Sequence, residues 1–210
     1  MMDIIDFHTH QLDATDALIS VSPQQFDPQL DRWYSVGYHP WQPLNELTEK
    51  DFDLLAQCAG HPQVLAIGET GMDRLCENDL DIQAAVFVRH LRLASTVGKP
   101  VVVHSVRATQ DILTERRKAG LTDVVLAIHG MRANANVTRT LIDAGCYVSI
   151  GPRFNPDSLL VTPLDRLLIE TDDAPVSIDE VAARVASVLH LTPEEIKKTA
   201  AGNVQRLLIR

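Results

Sequence analysis

The run "PVVVH", residues 100–104, carries three consecutive valines into a histidine, and a helical pattern follows over 108–118. Valine is stiff at χ1 and packs well on a pleated surface, so the run predicts a strand. It is continuously apolar rather than alternating, which suits a strand covered on both faces, as in a parallel sheet. The same unit recurs along the chain. "DIIDFH" (3–8), "LISVS" (18–22), "WYSVGYH" (33–39), "VLAIGE" (64–69), "VVLAIH" (124–129), "CYVSIG" (146–151) and "RLLIETD" (166–172) bring the candidate strands to eight. Helices are predicted over 47–59, 80–97, 108–118, 135–144, 178–190 and about 193–208. The last opens on "LTPEEIKK", with Thr192 as N-cap, Pro193 at the first helical position and acidic residues in the first turn.

Strand and helix alternate from residue 47 onward, which points to an α/β fold, a TIM-like (β/α)8 barrel formed as a single domain over 1–210. Only about ten residues separate the first strand from the second, and about as many the second from the third. That is too few for a full crossover helix at either place. The expectation is therefore a distorted barrel with abbreviated first repeats.

Hydrophobic residues make up 45% of the 210 and charged residues 22%, ordinary values for a globular chain. No apolar stretch approaches the roughly 18 residues of a membrane helix. The opening "MMDIIDF" lacks a basic export region, so the expected setting is the cytoplasm, with no membrane partner. Cys58, Cys76 and Cys146 are widely spaced, without the close pairs of a thiolate zinc site or a disulfide framework. A formal charge of −9 leaves no basic footprint for charge-driven binding to long nucleic acid, although bound divalent cations would offset part of it.

In such barrels chemistry gathers at the C-terminal ends of the strands. The residues closing the candidate strands are His8 with His10, His39, Glu69, His104, His129 and Asp172. A lone histidine at a strand end is most simply structural; several together with two carboxylates form a nitrogen-and-oxygen set suited to divalent metals. In "HTH", residues i and i+2 of an extended strand point to the same side, so His8 and His10 are placed to hold one cation. Glu69 lies in "AIGETGMD", where flanking glycines are expected to let the backbone turn while its carboxylate reaches two ions. A bridging carboxylate implies a two-metal site of the kind common in phosphatases and nucleases.

The motifs "DFHTH", "GYHPW", "AIGETGMD", "PVVVHSVRA", "IHG", "DRLLIETDDAP" and "GNVQRLL", in this order, resemble the TatD-related metal-dependent hydrolases, often called TatD deoxyribonucleases, among the amidohydrolase-like barrels. The resemblance runs from residue 6 to about 208. It implies two divalent ions per chain (zinc, magnesium or manganese), one held by His8, His10, Glu69 and Asp172 and the other by Glu69, His104 and His129. It further implies hydrolysis of phosphodiester bonds in DNA by a metal-activated water, with Glu69 and Asp172 catalytic and Asp172 orienting the water or accepting its proton. The rival chemistry for the same residues is ester or amide hydrolysis, as in an aminoacyl-RNA deacylase or a small-molecule amidohydrolase. A metal-binding protein without turnover is a third reading.

The sequence departs from the family pattern in places. Arg107 stands three residues after His104 where members often carry arginine at two, and Arg74 follows Asp73 where an aromatic is common. His39, Arg107 and Asp73 are the candidate substrate contacts. Pro40 holds His39 extended and Trp41 is placed to shelter or stack on a ligand. Asp73 is alternatively an acceptor that fixes a ligand histidine, or a turn residue after Met72. Arg132 and Arg153 follow other strands, Asp173 is expected in solvent or as a cap, and Asn203 and Arg206 are expected to anchor the closing helix.

Overall fold

A computed structural model describes residues 4–209. Its strands are β1 (Asp6–Thr9), β2 (Ala17–Val21), β3 (Trp33–Val36), β4 (Val64–Asp73), β5 (Val101–Val106), β6 (Leu126–Ile128), β7 (Tyr147–Ile150) and β8 (Leu167–Ile169). The helices are α1 (Glu49–Ala59), α2 (Leu80–Val97), α3 (Thr109–Lys118), α4 (Ala135–Asp143), α5 (Pro156–Leu160), α6 (Ile178–Leu189) and α7 (Pro193–Leu208). The strands follow one another in chain order around a closed barrel, the TIM-like arrangement expected from the alternation. Its first repeats are abbreviated: no helix joins β1 to β2, and a single 3₁₀ turn, Pro23–Gln25, lies between β2 and β3. Asp3, in the predicted first strand, lies outside the described residues. No helix among the described residues is long and apolar enough to cross a membrane.

The chain forms two compact units, one of the described residues up to Ile19 and from Ala127 on, the other Ser20–Leu126. In the first, β1 pairs parallel with β2 and β8, and β7 with β6 and β8. Leu167, Leu168 and Ile169 are completely buried, as expected for a strand covered on both faces. α7 opens as its sequence predicts: Glu195 N–H donates to Thr192 Oγ1 (3.3 Å), Thr192 N–H donates back to the Glu195 carboxylate (2.8 Å), and Pro193 leads the helix. Buried Asn203 fastens this helix to β8, its Nδ2 donating to the carbonyls of Leu164 (2.7 Å) and Leu167 (2.6 Å) while Oδ1 accepts from Arg206. Asn203→Ala is expected to lower the unfolding free energy by about 2 kcal/mol, within the ~1–3 kcal/mol typical of a buried group that loses its partner. The change should appear as a lower urea midpoint with an unchanged slope.

The second unit is built on β4, which pairs with β3 and β5. β4 continues four residues beyond the predicted end at Glu69, and the glycines are the reason. Gly68 (φ 126°) and Gly71 (φ 147°) do not turn the chain out of the sheet, as the sequence reading had it. They press it against β5: a Cβ at Gly68 would come within 2.4 Å of the Val102 carbonyl oxygen, and one at Gly71 within 2.0 Å of the His104 carbonyl oxygen. Only glycine fits, so the close approach fixes Glu69 beside His104.

Helix α2 covers this unit with Phe87, His90 and Leu91, all fully buried. His90 Nε2 accepts from the Tyr38 N–H (3.0 Å) and Nδ1 meets the Val86 carbonyl (2.8 Å), an arrangement suited to neutral imidazole. Burial holds its pKa at about 4 against an ordinary 6.5, with the Arg89 charge adding to the effect. The unfolded chain therefore takes up this proton first, and stability is lost as pH falls below 6.5. The stability of wild type relative to His90→Gln, which cannot titrate, should decline by about 2 kcal/mol between pH 7.5 and 5, measured by urea unfolding at each pH.

Candidate functional site

In the first unit, β1 and the segment after β8 are fastened together so that their functional side chains converge. Asp172 N–H donates to the His8 carbonyl (2.9 Å) and His10 N–H to the Asp172 carbonyl (3.2 Å). Thr171 Oγ1 donates to buried Asp6 (2.6 Å), and its N–H reaches the same carboxylate (3.0 Å). Burial raises the Asp6 pKa to about 7, against the lowering effect of these bonds from Thr171. Asp172 adopts φ 56°, a left-handed conformation that aspartate tolerates better than most residues.

The result is that His8 Nε2 and His10 Nε2 each lie 3.7 Å from Asp172 Oδ1. His8 is buried and His10 exposed, and their rings meet edge to face at 5.0 Å, on the same side as the i, i+2 argument requires. His129, one residue beyond β6, stacks on His8 at 4.3 Å between ring centroids. Its Nδ1 faces Glu170 Oε1 at 3.4 Å, and the same oxygen accepts the Gly130 N–H at 2.6 Å. Burial works to raise the Glu170 pKa, but the hydrogen bond and charge of His129, with the charge of His8, outweigh it and hold the carboxyl below its ordinary value. Through Nδ1, Glu170 fixes the orientation of the His129 ring.

The second unit carries a cluster of similar make. Glu69, buried inside β4, places Oε1 2.9 Å from both His39 Nε2 and His104 Nδ1, and those two nitrogens are 3.2 Å apart. The other nitrogen of His104, Nε2, is 3.2 Å from Asp73 Oδ2. Asp73 also accepts from Trp41 Nε1 (2.7 Å) and the Leu75 N–H (2.7 Å). Its own pKa is set by burial, which raises it, and by the bonds from Trp41, Leu75 and His104, which prevail and hold it low. Asp73 thus fixes the ring of His104 and ties the loop after Met72, joining two roles that the sequence left as alternatives.

Among the described residues, His8, His10 and Asp172 offer ligand atoms within 4.8 Å of one another, as do His129, Glu170 and Asp172, and His39, Glu69 and His104. Such convergence of imidazole nitrogens on carboxylate oxygens fits a divalent metal. The structure moves some of these residues relative to the predicted strand ends: His39 lies three residues past β3, Asp172 three past β8, and Glu69 and His104 lie within their strands. His39 joins the cluster directly, whereas the sequence alone weighs it as a substrate contact against a purely structural residue. Arg107 is exposed one residue after β5 at φ 53°, Arg132 is exposed, and Arg153 reaches exposed Asp173 at 3.4 Å. Sequence reasoning missed Glu170 and Asp6. Glu170 was within reach of the rule applied to His8 and His10, since it stands two residues from Asp172.

Donor clusters of this kind on a (β/α)8 barrel suit divalent metal ions. The chain belongs to the TatD-related DNase family, whose model matches residues 24–209. It is 29% identical over 194 residues to "Uncharacterized metal-dependent hydrolase YabD" of Bacillus subtilis, covering 82% of this chain and 76% of that one. It is 28% identical over 198 residues to "Uncharacterized metal-dependent hydrolase TatD" of Mycobacterium tuberculosis, covering 82% and 74%. In fold it is similar to YJJV, a TatD homologue of Escherichia coli, with a TM-score of 0.85, 20% identity and 99% of both chains covered.

Proposed function

We propose that this protein uses two divalent metal ions to hydrolyse phosphodiester bonds in DNA. His8, His10, Glu69 and Asp172 would hold one ion and Glu69, His104 and His129 the other, with Glu69 common to both. The observation that carries the reading is Glu69 itself, a buried carboxylate with one oxygen 2.9 Å from two imidazole nitrogens. The name of the matching family, TatD-related DNase, supports the choice of DNA.

Bound divalent ions would act as Lewis acids and lower the pKa of a bound water toward neutrality. The chain's own residues do the rest. Asp73 and Glu170 fix the orientation of the His104 and His129 rings. Asp172 is partly exposed, with a side-chain accessibility of 18%, and is the carboxylate assigned to take the proton of the attacking water.

The test is metal content of the purified protein, paired with hydrolysis of bis(p-nitrophenyl) phosphate before chelation, after it and after metal add-back. p-Nitrophenyl acetate serves as the ester control. About two ions per chain, with diester hydrolysis that chelation abolishes and metal restores, is the expected result. Metal-dependent cleavage of the acetate alone would replace this reading with ester hydrolysis, and no metal binding at all would refute it.

A further inference from the structure

Within the Ser20–Leu126 unit a cleft of about 770 Å³ opens beside His104, with Asp73 in its wall. Its apolar lining includes Trp41, Leu75, Ile82 and Val106, and it holds three carboxylates, Asp73, Glu77 and Asp79, but no lysine or arginine. Such a lining repels a phosphate strand, and its volume is in the range that takes a small molecule. The nearest basic residue in sequence, Arg74, is committed elsewhere, its Nε and Nη2 donating to Asp111 at 3.0 and 2.8 Å.

Trp41 dominates one wall. It is 68% exposed, unusual for a residue that is mostly buried on average, yet it is held in place. Its Nε1 donates to Asp73 at 2.7 Å, and its ring lies edge-on to His39 at 4.8 Å and to His104 at 5.5 Å. The backbone on either side is tied down by Asn78, whose Nδ2 donates to the carbonyls of Pro40 (2.6 Å) and Gln42 (2.7 Å). A rigid, solvent-facing indole beside the imidazole cluster loses little freedom when a flat ring settles on it.

We infer that Trp41 is a stacking platform for the nucleobase flanking the scissile phosphodiester, with this cleft receiving the base. The inference rests on the phosphodiesterase reading above for its substrate, but not for its geometry. A neutral base suits the carboxylate-lined cleft, where a second phosphate does not. Aromatic platforms accept any base because each has a π-face, so the platform selects for a nucleotide rather than for a sequence.

The test compares wild type, Trp41→Ala and Trp41→Phe on thymidine 5′-(p-nitrophenyl phosphate) and on methyl p-nitrophenyl phosphate, which share a leaving group but differ in the nucleoside, the sugar being controlled for by the binding comparison below. The ratio of the two kcat/KM values cancels any loss common to both. Trp41→Ala should reduce the wild-type preference for the thymidyl ester by roughly 5- to 150-fold, the range of one base–aromatic stack. Trp41→Phe should recover most of it. Alanine and phenylalanine both lose the bond to Asp73, so recovery by phenylalanine isolates the ring. An unchanged ratio in Trp41→Ala, or a phenylalanine variant no better than alanine, overturns the inference. Calorimetric binding of dTMP against deoxyribose 5-phosphate gives a second readout, with the same pattern expected. A dTMP preference that depends on Trp41 in a protein that cleaves neither diester would sustain the platform and refute the phosphodiesterase reading. Diester hydrolysis with no thymidyl preference would do the reverse.

Discussion

Glu69→Ala should reduce metal-supported hydrolysis of bis(p-nitrophenyl) phosphate on the order of 10³-fold, equivalent to about 4 kcal/mol of lost Lewis-acid stabilisation. Bound metal should fall from about two ions per chain to about one, as expected when a carboxylate shared by both ions of a two-metal site is removed. The fold should tolerate the change. Glu69 is held among side chains, with His39 and His104 each 2.9 Å from Oε1, whereas the backbone course of β4 is set by Gly68 and Gly71 against β5. His104 also keeps its second anchor at Asp73. Glu69→Gln sharpens the experiment, because it preserves shape and one oxygen while removing the charge that would hold two cations. Full metal content and activity in Glu69→Gln would sink the shared-ligand assignment, and a urea midpoint taken alongside would expose any general loss of structure.

The barrel was legible because its signal is chemical and local. Runs such as Val101–Val103 and Leu167–Ile169 are buried on every side, and a strand in that setting has no polar face to alternate with. The site was legible where two donors obey the two-residue period of a strand, as His8 and His10 do. It was less so where a residue acts through another. Asp6 holds Thr171, and thereby the turn that carries Asp172, through contacts 165 positions apart in sequence, which no local pattern announces. Glycines carried an ambiguous signal: Gly68 and Gly71 permit a turn or a close approach equally well in sequence, and only the neighbouring strand decides between them. Short elements such as α5 and the 3₁₀ turns span too few residues to establish a period.

Asp172→Asn is the second substitution with a large expected effect, and the backbone around it makes the result interpretable. Asp172 sits at φ 56°, where an alanine would be strained but asparagine is at home. Its N–H bond to His8, and the bonds its carbonyl accepts from the His10 N–H and from Thr9 Oγ1, are made by the main chain and survive the substitution. Asparagine also retains a side-chain oxygen toward His8 Nε2 and His10 Nε2. What it loses is the ability to take a proton. If Asp172 serves as the proton acceptor, kcat should fall roughly 10²- to 10⁴-fold, the usual contribution of a positioned general base. Metal bound at His8 and His10 should be largely retained, and the urea midpoint should stay close to that of wild type. A kcat within threefold of wild type would remove Asp172 from proton transfer and leave it as a ligand only. Equal loss of metal and activity would assign the residue to binding, with proton transfer falling to another carboxylate of the cluster. Glu170 is the nearest alternative in sequence, but it is fully buried and already accepts the Gly130 N–H, so the partly exposed Asp172 is better placed to meet a water.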